Sequence, residues 1–179
     1  MSAGMDVGAA LRQAAERLSE NTDTARLDAE LLMAHALGVS RSDMLLRHMR
    51  DAEPKAFASL VERRAAHEPI AHILGEQEFF GLVFTVSGDT LIPRGDSETI
   101  VQTALDTARP DARVLDMGTG SGALLLAFLD QRPRASGIGI DASTGALTVA
   151  DTNAQRLGLA VRAQFRAADW CEPGWADDL

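Results

Sequence analysis

The fold of this chain is decided by the stretch Val114-Leu115-Asp116-Met117-Gly118-Thr119-Gly120-Ser121-Gly122. An apolar run ends in an acid, a glycine-rich turn follows, and a second apolar run continues over residues 123–129. A strand, a glycine turn and a helix in this order open a nucleotide-binding βαβ unit. The glycines allow a tight turn and let the backbone approach a bound molecule closely.

The glycine spacing fits two classes of cofactor. Gly118, Gly120 and Ala123 match the dinucleotide pattern G-x-G-x-x-G/A, while Gly118, Gly120 and Gly122 match the G-x-G-x-G of methyltransferases. Asp116 favours the second pattern, because a carboxylate would repel the pyrophosphate that a dinucleotide places at this turn. S-adenosylmethionine (SAM) carries an ammonium and a sulfonium, which a carboxylate attracts. The stretch therefore predicts SAM as the cofactor, with NAD as the alternative.

Two further strand ends are predicted at the same edge of the sheet. Residues 138–141 form a strand that ends in Asp141, about 20 residues past the glycines, where an acid can accept hydrogen bonds from ribose hydroxyls. Residues 161–166 form a third strand, followed by Asp169 and Trp170, which could bind the amino group and the ring of adenine. The predicted cofactor-binding residues are Asp116, Gly118, Thr119, Gly120, Ser121, Gly122, Asp141, Asp169 and Trp170. The structural alternative is that the acids only cap helices and that Trp170 only packs in the core.

Composition limits the classes of function. The chain has 179 residues and a formal net charge of -9, which argues against non-specific binding to nucleic acid. The single cysteine, Cys171, excludes an intrachain disulfide and favours a reducing compartment. Residues 1–8 lack a secretory signal and no apolar run approaches the ~20 residues of a membrane helix, so we expect a cytoplasmic protein that does not bind membranes. The four histidines show no metal-ligand spacing, so no metal site is predicted.

The chain is predicted to be an α/β protein in three parts. Residues 1–75 show helical periodicity and form an all-helical bundle, in which Arg63 and Arg64 are expected at a solvated helix end. Residues 76–94 form a β-hairpin linker, with a turn at 87–89 and a second strand at 90–93. Residues 95–179 begin a Rossmann-like domain, with a helix capped by Asp96 or Ser97. Only about three strands precede Leu179, so we expect either the front part of a longer protein or completion by another copy.

Most of the sequence resembles the HemK family of protein-glutamine N5-methyltransferases. The resemblance lies in Glu68–Gly75, Glu78–Leu82, Leu91-Ile92-Pro93-Arg94 with Glu98, Val114–Gly122 and Asn153–Leu159. It implies a helical substrate-recognition bundle and a class I SAM-dependent methyltransferase domain. The implied substrate is the glutamine of the Gly-Gly-Gln motif of a class I peptide-chain release factor, with Gly118 to Gly122, Asp141 and Trp170 contacting SAM. Pro93 and Arg94 are expected near the active crevice, without an assigned role.

The sequence also departs from the family. Gly95-Asp96-Ser97 replaces the usual Pro, acid and Thr, and His72 stands where Tyr is common. The Asn-Pro-Pro-Tyr catalytic motif of the family would fall just beyond Leu179, so no catalytic residue is predicted within the chain. In the family, that asparagine and a backbone carbonyl orient the glutamine amide, and we therefore expect little or no methyl transfer by the 179 residues alone. The other hypotheses are a methyltransferase for a nucleic-acid adenine or a small molecule, and a non-catalytic release-factor-binding fragment.

Overall fold

The structure, a computed structural model, describes residues 5–173 and 175–176. Residues 1–4, part of the segment searched for a secretory signal, and residues 177–179, at the end of the predicted partial domain, lie outside this range. The chain divides between Leu74 and Gly75 into two compact units.

The first unit is helical. Its helices are α1 (Val7–Leu18), α2 (Ala25–Leu37), α3 (Arg41–Asp43), α4 (Phe57–Ala65) and α5 (Ile70–Leu74), with a π-helical turn over Met44–His48. The caps follow from the sequence: Asp6 accepts a hydrogen bond from the amide of Ala9, Ser40 accepts one from Asp43, and Gly38 ends α2 with φ of 68°. The apolar stripes of α1 and α2 face each other around a core that includes Leu11, Leu18, Leu32, Met33 and Phe57.

A network of charges lies along α2. Arg64 donates to Asp28 at 2.6 Å, and Asp28 and Arg64 are only 6% and 17% exposed at their side chains. The prediction that Arg64 lies at a solvated helix end is therefore wrong, because a buried acid on a neighbouring helix binds it. Glu30 is similarly buried; burial acts to raise its pKa, but the hydrogen bonds from Arg26 and Arg41 hold that pKa below the ordinary value.

The second unit begins with a hairpin that differs from the predicted one. Strands β1 (Glu76–Phe79) and β2 (Leu82–Thr85) pair antiparallel, and the turn lies at Phe80 and Gly81, with φ of 53° and 75°. Two successive residues at positive φ are typical of the two-residue turns that match strand twist. The predicted second strand at residues 90–93 is wrong, because β2 pairs with the preceding segment β1 and residues 91–94 form no strand.

The remaining elements form a parallel α/β layer. Its helices are α6 (Glu98–Thr107), α7 (Ala123–Gln131) and α8 (Thr144–Arg156), and its strands are β3 (Arg113–Met117), β4 (Ser136–Asp141) and β5 (Ala163–Ala167), in the order β3-β4-β5. Ser143 caps α8, whereas the predicted caps Asp96 and Ser97 lie in a 3-10 turn and give α6 no side-chain cap. The register pairs Asp116 with Gly139 and Gly139 with Phe165, so the carboxyl ends of the three strands meet at one edge. The predicted partial Rossmann-like fold is confirmed by this topology.

Two glycines of β4 let the helix layer pack closely on the sheet. A Cβ built on Gly137 would lie 2.4 Å from a Leu125 methyl, and one built on Gly139 would lie 2.6 Å from the Thr119 hydroxyl. A larger residue at either position would displace the side chains that pack against the strand here. Leu115 and Met117 on the edge strand β3 are 42% and 47% exposed.

Candidate functional site

The turn between β3 and α7 has the conformation that its glycines allow. Gly118, Gly120 and Gly122 have φ of 75°, 54° and 78°, where residues with a Cβ are strained. The amides of Gly118 and Thr119 both donate to the carbonyl of Ile140 at 2.9 Å, which fastens the turn to the end of β4. A Cβ on Gly120 would meet no atom within 4 Å, so this part of the turn is open to a ligand.

Asp116 lies at the start of the turn. Its carboxylate accepts a hydrogen bond from the Thr119 hydroxyl at 2.7 Å. Burial raises its pKa, with a smaller contribution from the charge of Asp141, and hydrogen bonds from Thr119 and from the Leu125 amide oppose the rise without cancelling it. A cationic ligand beside this carboxylate would stabilise its charged form and so offset the unfavourable effect of burial on its ionisation.

Asp141 lies at the end of β4 and contacts the turn directly. Its Oδ2 accepts a hydrogen bond from the amide of Gly120 at 2.9 Å, and its Oδ1 accepts one from the amide of Ser143 at 2.9 Å. The structural alternative was that this acid only caps a helix, but α8 is capped by Ser143 and α7 has no side-chain cap. Each carboxylate oxygen has a second lone pair, which leaves capacity for ribose hydroxyls.

The end of β5 brings Trp170 to the turn but leaves Asp169 on the surface. A Cβ on Gly118 would lie 3.5 Å from the indole ring, so Trp170 lies directly over this glycine, although its side chain is 47% exposed. An exposed indole over a glycine turn is not core packing. Asp169 is exposed and accepts a hydrogen bond from the amide of Cys171 at 2.9 Å.

A cleft of about 270 Å³ borders the turn. The lining residues are Leu91, Ile92, Pro93, Arg94, Ser97, Gly118, Thr119, Gly120, Ser121, Ala123 and Leu124. Four of the predicted cofactor-binding residues thus line it, whereas Asp116 faces a second pocket between α6 and β3. In this cleft the segment at 91–94 lies beside the glycine turn. The family resemblance predicted that Pro93 and Arg94 of this segment lie near the active crevice.

Sequence reasoning missed three residues that shape the turn. Gly137 and Gly139 determine how closely α7 and the turn approach the sheet, and Asn153 on α8 donates to the carbonyl of Ser121 at 2.9 Å. Gly139, an isolated glycine within the predicted strand at 138–141, was the available signal for close backbone approach, whereas Gly137 lay outside that predicted strand. The sequence marked Asn153 only as part of the family-like stretch Asn153–Leu159, because its role depends on contacts between distant parts of the chain.

Comparison with known domain families matches both units. Residues 9–75 match the family described as "PrmC N-terminal domain", and residues 108–178 match the family described as "Methyltransferase domain". A release factor glutamine methyltransferase from Nitratidesulfovibrio vulgaris is 42% identical over 165 residues, which cover 89% of this chain and 56% of the relative. The chain is therefore similar, in both units, to relatives named release factor glutamine methyltransferase.

Two further similarities are to a curated relative and to a solved structure. The release factor glutamine methyltransferase of Bradyrhizobium diazoefficiens is 43% identical over 176 residues, which cover 93% of this chain and 59% of the relative. A solved SAM-dependent methyltransferase from Geobacter sulfurreducens, in complex with S-adenosyl-L-homocysteine, is 32% identical over 45% of this chain and 31% of its own, with a TM-score of 0.38. The chain thus spans somewhat more than half the length of the curated relatives it matches.

These matches bear on the predictions from sequence. The resemblance to the glutamine methyltransferase family is confirmed, and the methyltransferase-domain match supports SAM over the alternative NAD.

In the described part of the chain, no helix has both the length and the apolar character needed to cross a membrane. Among the same residues, no group of three or more His, Cys, Asp or Glu side chains could hold a metal ion.

Proposed function

We propose that this protein is a SAM-dependent methyltransferase that modifies the N5 of the glutamine in the Gly-Gly-Gln motif of class I peptide-chain release factors. The observation that carries the proposal is the 42–43% identity, across both units, to relatives named release factor glutamine methyltransferases. A cytoplasmic location is part of the proposal, because translation termination takes place there.

The site residues support a role in holding SAM. The open glycine turn offers backbone to the nucleoside, Asp141 can accept from ribose hydroxyls, and Trp170 offers a ring for the adenine to stack on. Asp116, whose pKa is raised by burial, would be stabilised in its charged form by the cationic methionine end. SAM supplies an activated methyl group, so the remaining task of the protein is to orient the acceptor nitrogen.

The acceptor side of the reaction is a separate part of the proposal. The 179 residues contain no Asn-Pro-Pro-Tyr sequence. We therefore infer that this chain binds SAM but transfers methyl groups poorly or not at all by itself. The helical unit would contribute to recognition of the release factor, as its match to the PrmC N-terminal domain suggests.

Methyl transfer from labelled SAM tests the proposal. The chain alone and a fusion to the C-terminal part of the Nitratidesulfovibrio relative, beyond its matched region, are each incubated with a class I release factor. A factor whose Gly-Gly-Gln glutamine is changed to alanine is the matched control. We expect label only with the fusion and only on the unchanged factor. Label on an adenine or on a small molecule instead would favour the alternative acceptor, and strong label with the chain alone would contradict the inferred lack of an acceptor site.

A further inference from the structure

Asn153 is the most deeply buried polar side chain of the second unit among the described residues, with 1% of its surface exposed. It lies on the face of α8 that also carries the buried Ala146 and Ala150. A buried amide destabilises a fold unless its donors and acceptor find partners. The hydrogen-bond partners of Asn153 therefore indicate its structural role.

Two of these partners belong to one residue of the hairpin. The Oδ1 of Asn153 accepts a hydrogen bond from the amide of Thr85 at 2.7 Å, and its Nδ2 donates to the carbonyl of Thr85 at 3.0 Å. These two bonds give partners to the backbone amide and carbonyl of Thr85, the last residue of β2, as pairing with a neighbouring strand would. Arg156, one turn along α8, donates to the hydroxyl of the same Thr85.

The third partner belongs to the glycine turn. The Nδ2 of Asn153 also donates to the carbonyl of Ser121 at 2.9 Å. That carbonyl lies in the peptide between Ser121 and Gly122, and Gly120 and Gly122 on either side have φ of 54° and 78°. Because glycine is free to leave such a conformation, a fixed carbonyl in this peptide restricts the turn far more than it would restrict an ordinary loop.

We propose that Asn153 is a positioning residue, which holds the glycine turn in its ligand-binding conformation and couples it to the β1–β2 hairpin. One side chain joins three segments that are 32 and 68 residues apart in sequence. The choice of SAM as the ligand rests on the proposed function, whereas the restriction of the turn does not. Loosening the hairpin end therefore loosens the turn, and a ligand that orders the turn also orders the hairpin end.

Four variants of the chain separate positioning from general stability. Asn153→Ala removes all three bonds, and Asn153→Asp keeps the shape but turns an acceptor towards the carbonyls of Thr85 and Ser121. Gln155→Ala is the matched surface control on the same helix, where the side chain bonds the exposed Asp151. Leu129→Ala is the control for lost stability, because Leu129 is fully buried in the core of the same unit, at the far end of α7.

The first measurement is hydrogen exchange without ligand. We expect four amides to exchange about tenfold faster in the Asn153 variants. They are the amides of Gly118 and Thr119, which donate to Ile140, the amide of Gly122, which donates to Thr119, and the amide of Thr85. Leu129→Ala should raise exchange over the whole unit without singling out these amides. Turn amides that exchange at the wild-type rate in both Asn153 variants would overturn the proposal.

The second measurement is SAM affinity by calorimetry, well below the unfolding temperature of each variant. We expect both Asn153 variants to bind SAM about tenfold more weakly, and both controls to bind as the wild type does. The loss in Asn153→Asp, relative to wild type at the same pH, should shrink at low pH, where a protonated carboxyl can again donate. Unchanged affinity in the Asn153 variants would overturn the proposal. A wild-type chain that does not bind SAM would count against the proposed function, and the exchange measurement would still decide the role of Asn153.

Discussion

Asp141 accepts a hydrogen bond from the backbone amide of Gly120 at 2.9 Å, across 21 residues of sequence. The acid at the end of one strand thus holds the glycine turn that follows the neighbouring strand. The same carboxylate also accepts from the amide of Ser143 at the start of α8. A residue assigned to ribose from its spacing therefore also stabilises the turn that would bind the rest of the ligand.

Replacing Asp141 should weaken SAM binding through both of these contacts. We expect Asp141→Ala to lower SAM affinity by at least about tenfold, since two partly buried amides lose their acceptor and the ribose loses a partner. Asp151→Ala is the matched control, because it also removes one negative charge but from an exposed site on α8. Calorimetric titration of both variants measures the difference, and equal affinities would exclude Asp141 from the site.

The raised pKa of Asp116 predicts how SAM binding depends on pH. Because burial keeps this carboxyl protonated to a higher pH than usual, binding of a cation beside it must release a proton below that pKa. SAM affinity should therefore rise with pH through the raised pKa of Asp116 and level off above it. Asp116→Asn should flatten this rise, and a wild-type profile with no rise would contradict a cation beside Asp116.

The same shift predicts a change in stability with pH. The folded-state pKa of Asp116 lies above the unfolded value, so the folded chain binds more protons between the two. The contribution of this group to stability is therefore full below the unfolded pKa and is lost as the pH rises through the folded pKa. Denaturation of wild type and Asp116→Asn across this range should show a decline that is steeper in the wild type.

Gly122 should be the glycine of the turn least tolerant of substitution. It has φ of 78°, and an added Cβ would lie 3.1 to 3.3 Å from atoms of Leu126, Ala150 and Phe165. Gly158 has φ of 71° with nothing within 4 Å of such a Cβ, so it is a matched control for backbone strain alone. We expect Gly122→Ala to cost about 2–4 kcal/mol and Gly158→Ala about 1 kcal/mol of unfolding free energy.

Tryptophan fluorescence measures this loss in the second unit selectively, because both tryptophans of the chain, Trp170 and Trp175, lie there. Urea unfolding followed by this signal gives the free energy of each variant. Equal losses at Gly122 and Gly158 would show that strain alone, and not close packing, makes Gly122 necessary.

The fluorescence of Trp170 should change when SAM binds. Its indole lies over Gly118 and is 47% exposed, so an adenine that stacks on it must change its surroundings. We expect SAM to change the fluorescence of wild type and of Trp175→Phe, and to leave that of Trp170→Phe almost unchanged. A SAM-dependent signal that survives Trp170→Phe would place the ligand elsewhere.

The helical unit offers a test that does not involve SAM. Arg64→Ala leaves the buried Asp28 carboxylate without its ion-pair partner, which should cost about 3 kcal/mol of unfolding free energy. Arg17→Ala breaks the Arg17–Glu62 pair, whose side chains are 52% and 58% exposed, and should cost at most about 1 kcal/mol. Circular dichroism during urea unfolding compares the two, and equal costs would contradict the buried role of Arg64.

Local sequence patterns predicted much of this structure. The glycine turn was predicted in this way. Rules of the same local kind explain the Ser143 cap and the ends of α2 at Gly38 and of α8 near Gly158. The meeting of Asp116, Asp141 and Trp170 at one edge followed from the order of parallel strands.

The errors and omissions arose where distant residues decide the outcome. The hairpin turn was predicted at residues 87–89, but it lies at Phe80 and Gly81, where Glu98 accepts a hydrogen bond from the backbone amide of Phe80 at 2.8 Å. Arg64 was predicted at a solvated helix end because the local sequence does not reveal its partner Asp28, which is 36 residues away. Asn153 was noted only within the family-like stretch Asn153–Leu159, and its role was not predicted because its contacts lie on two other elements.

Calorimetric titration of the 179-residue chain with SAM and, separately, with NAD tests most directly whether the glycine turn with Asp116 and Asp141 is a SAM site. Circular dichroism on the same sample establishes that the chain is folded. We predict that SAM binds at one site, that NAD does not bind, and that Asp116→Asn and Asp141→Ala each weaken SAM binding. A folded chain that binds NAD in preference to SAM, or that binds SAM equally well without these carboxylates, would contradict this assignment.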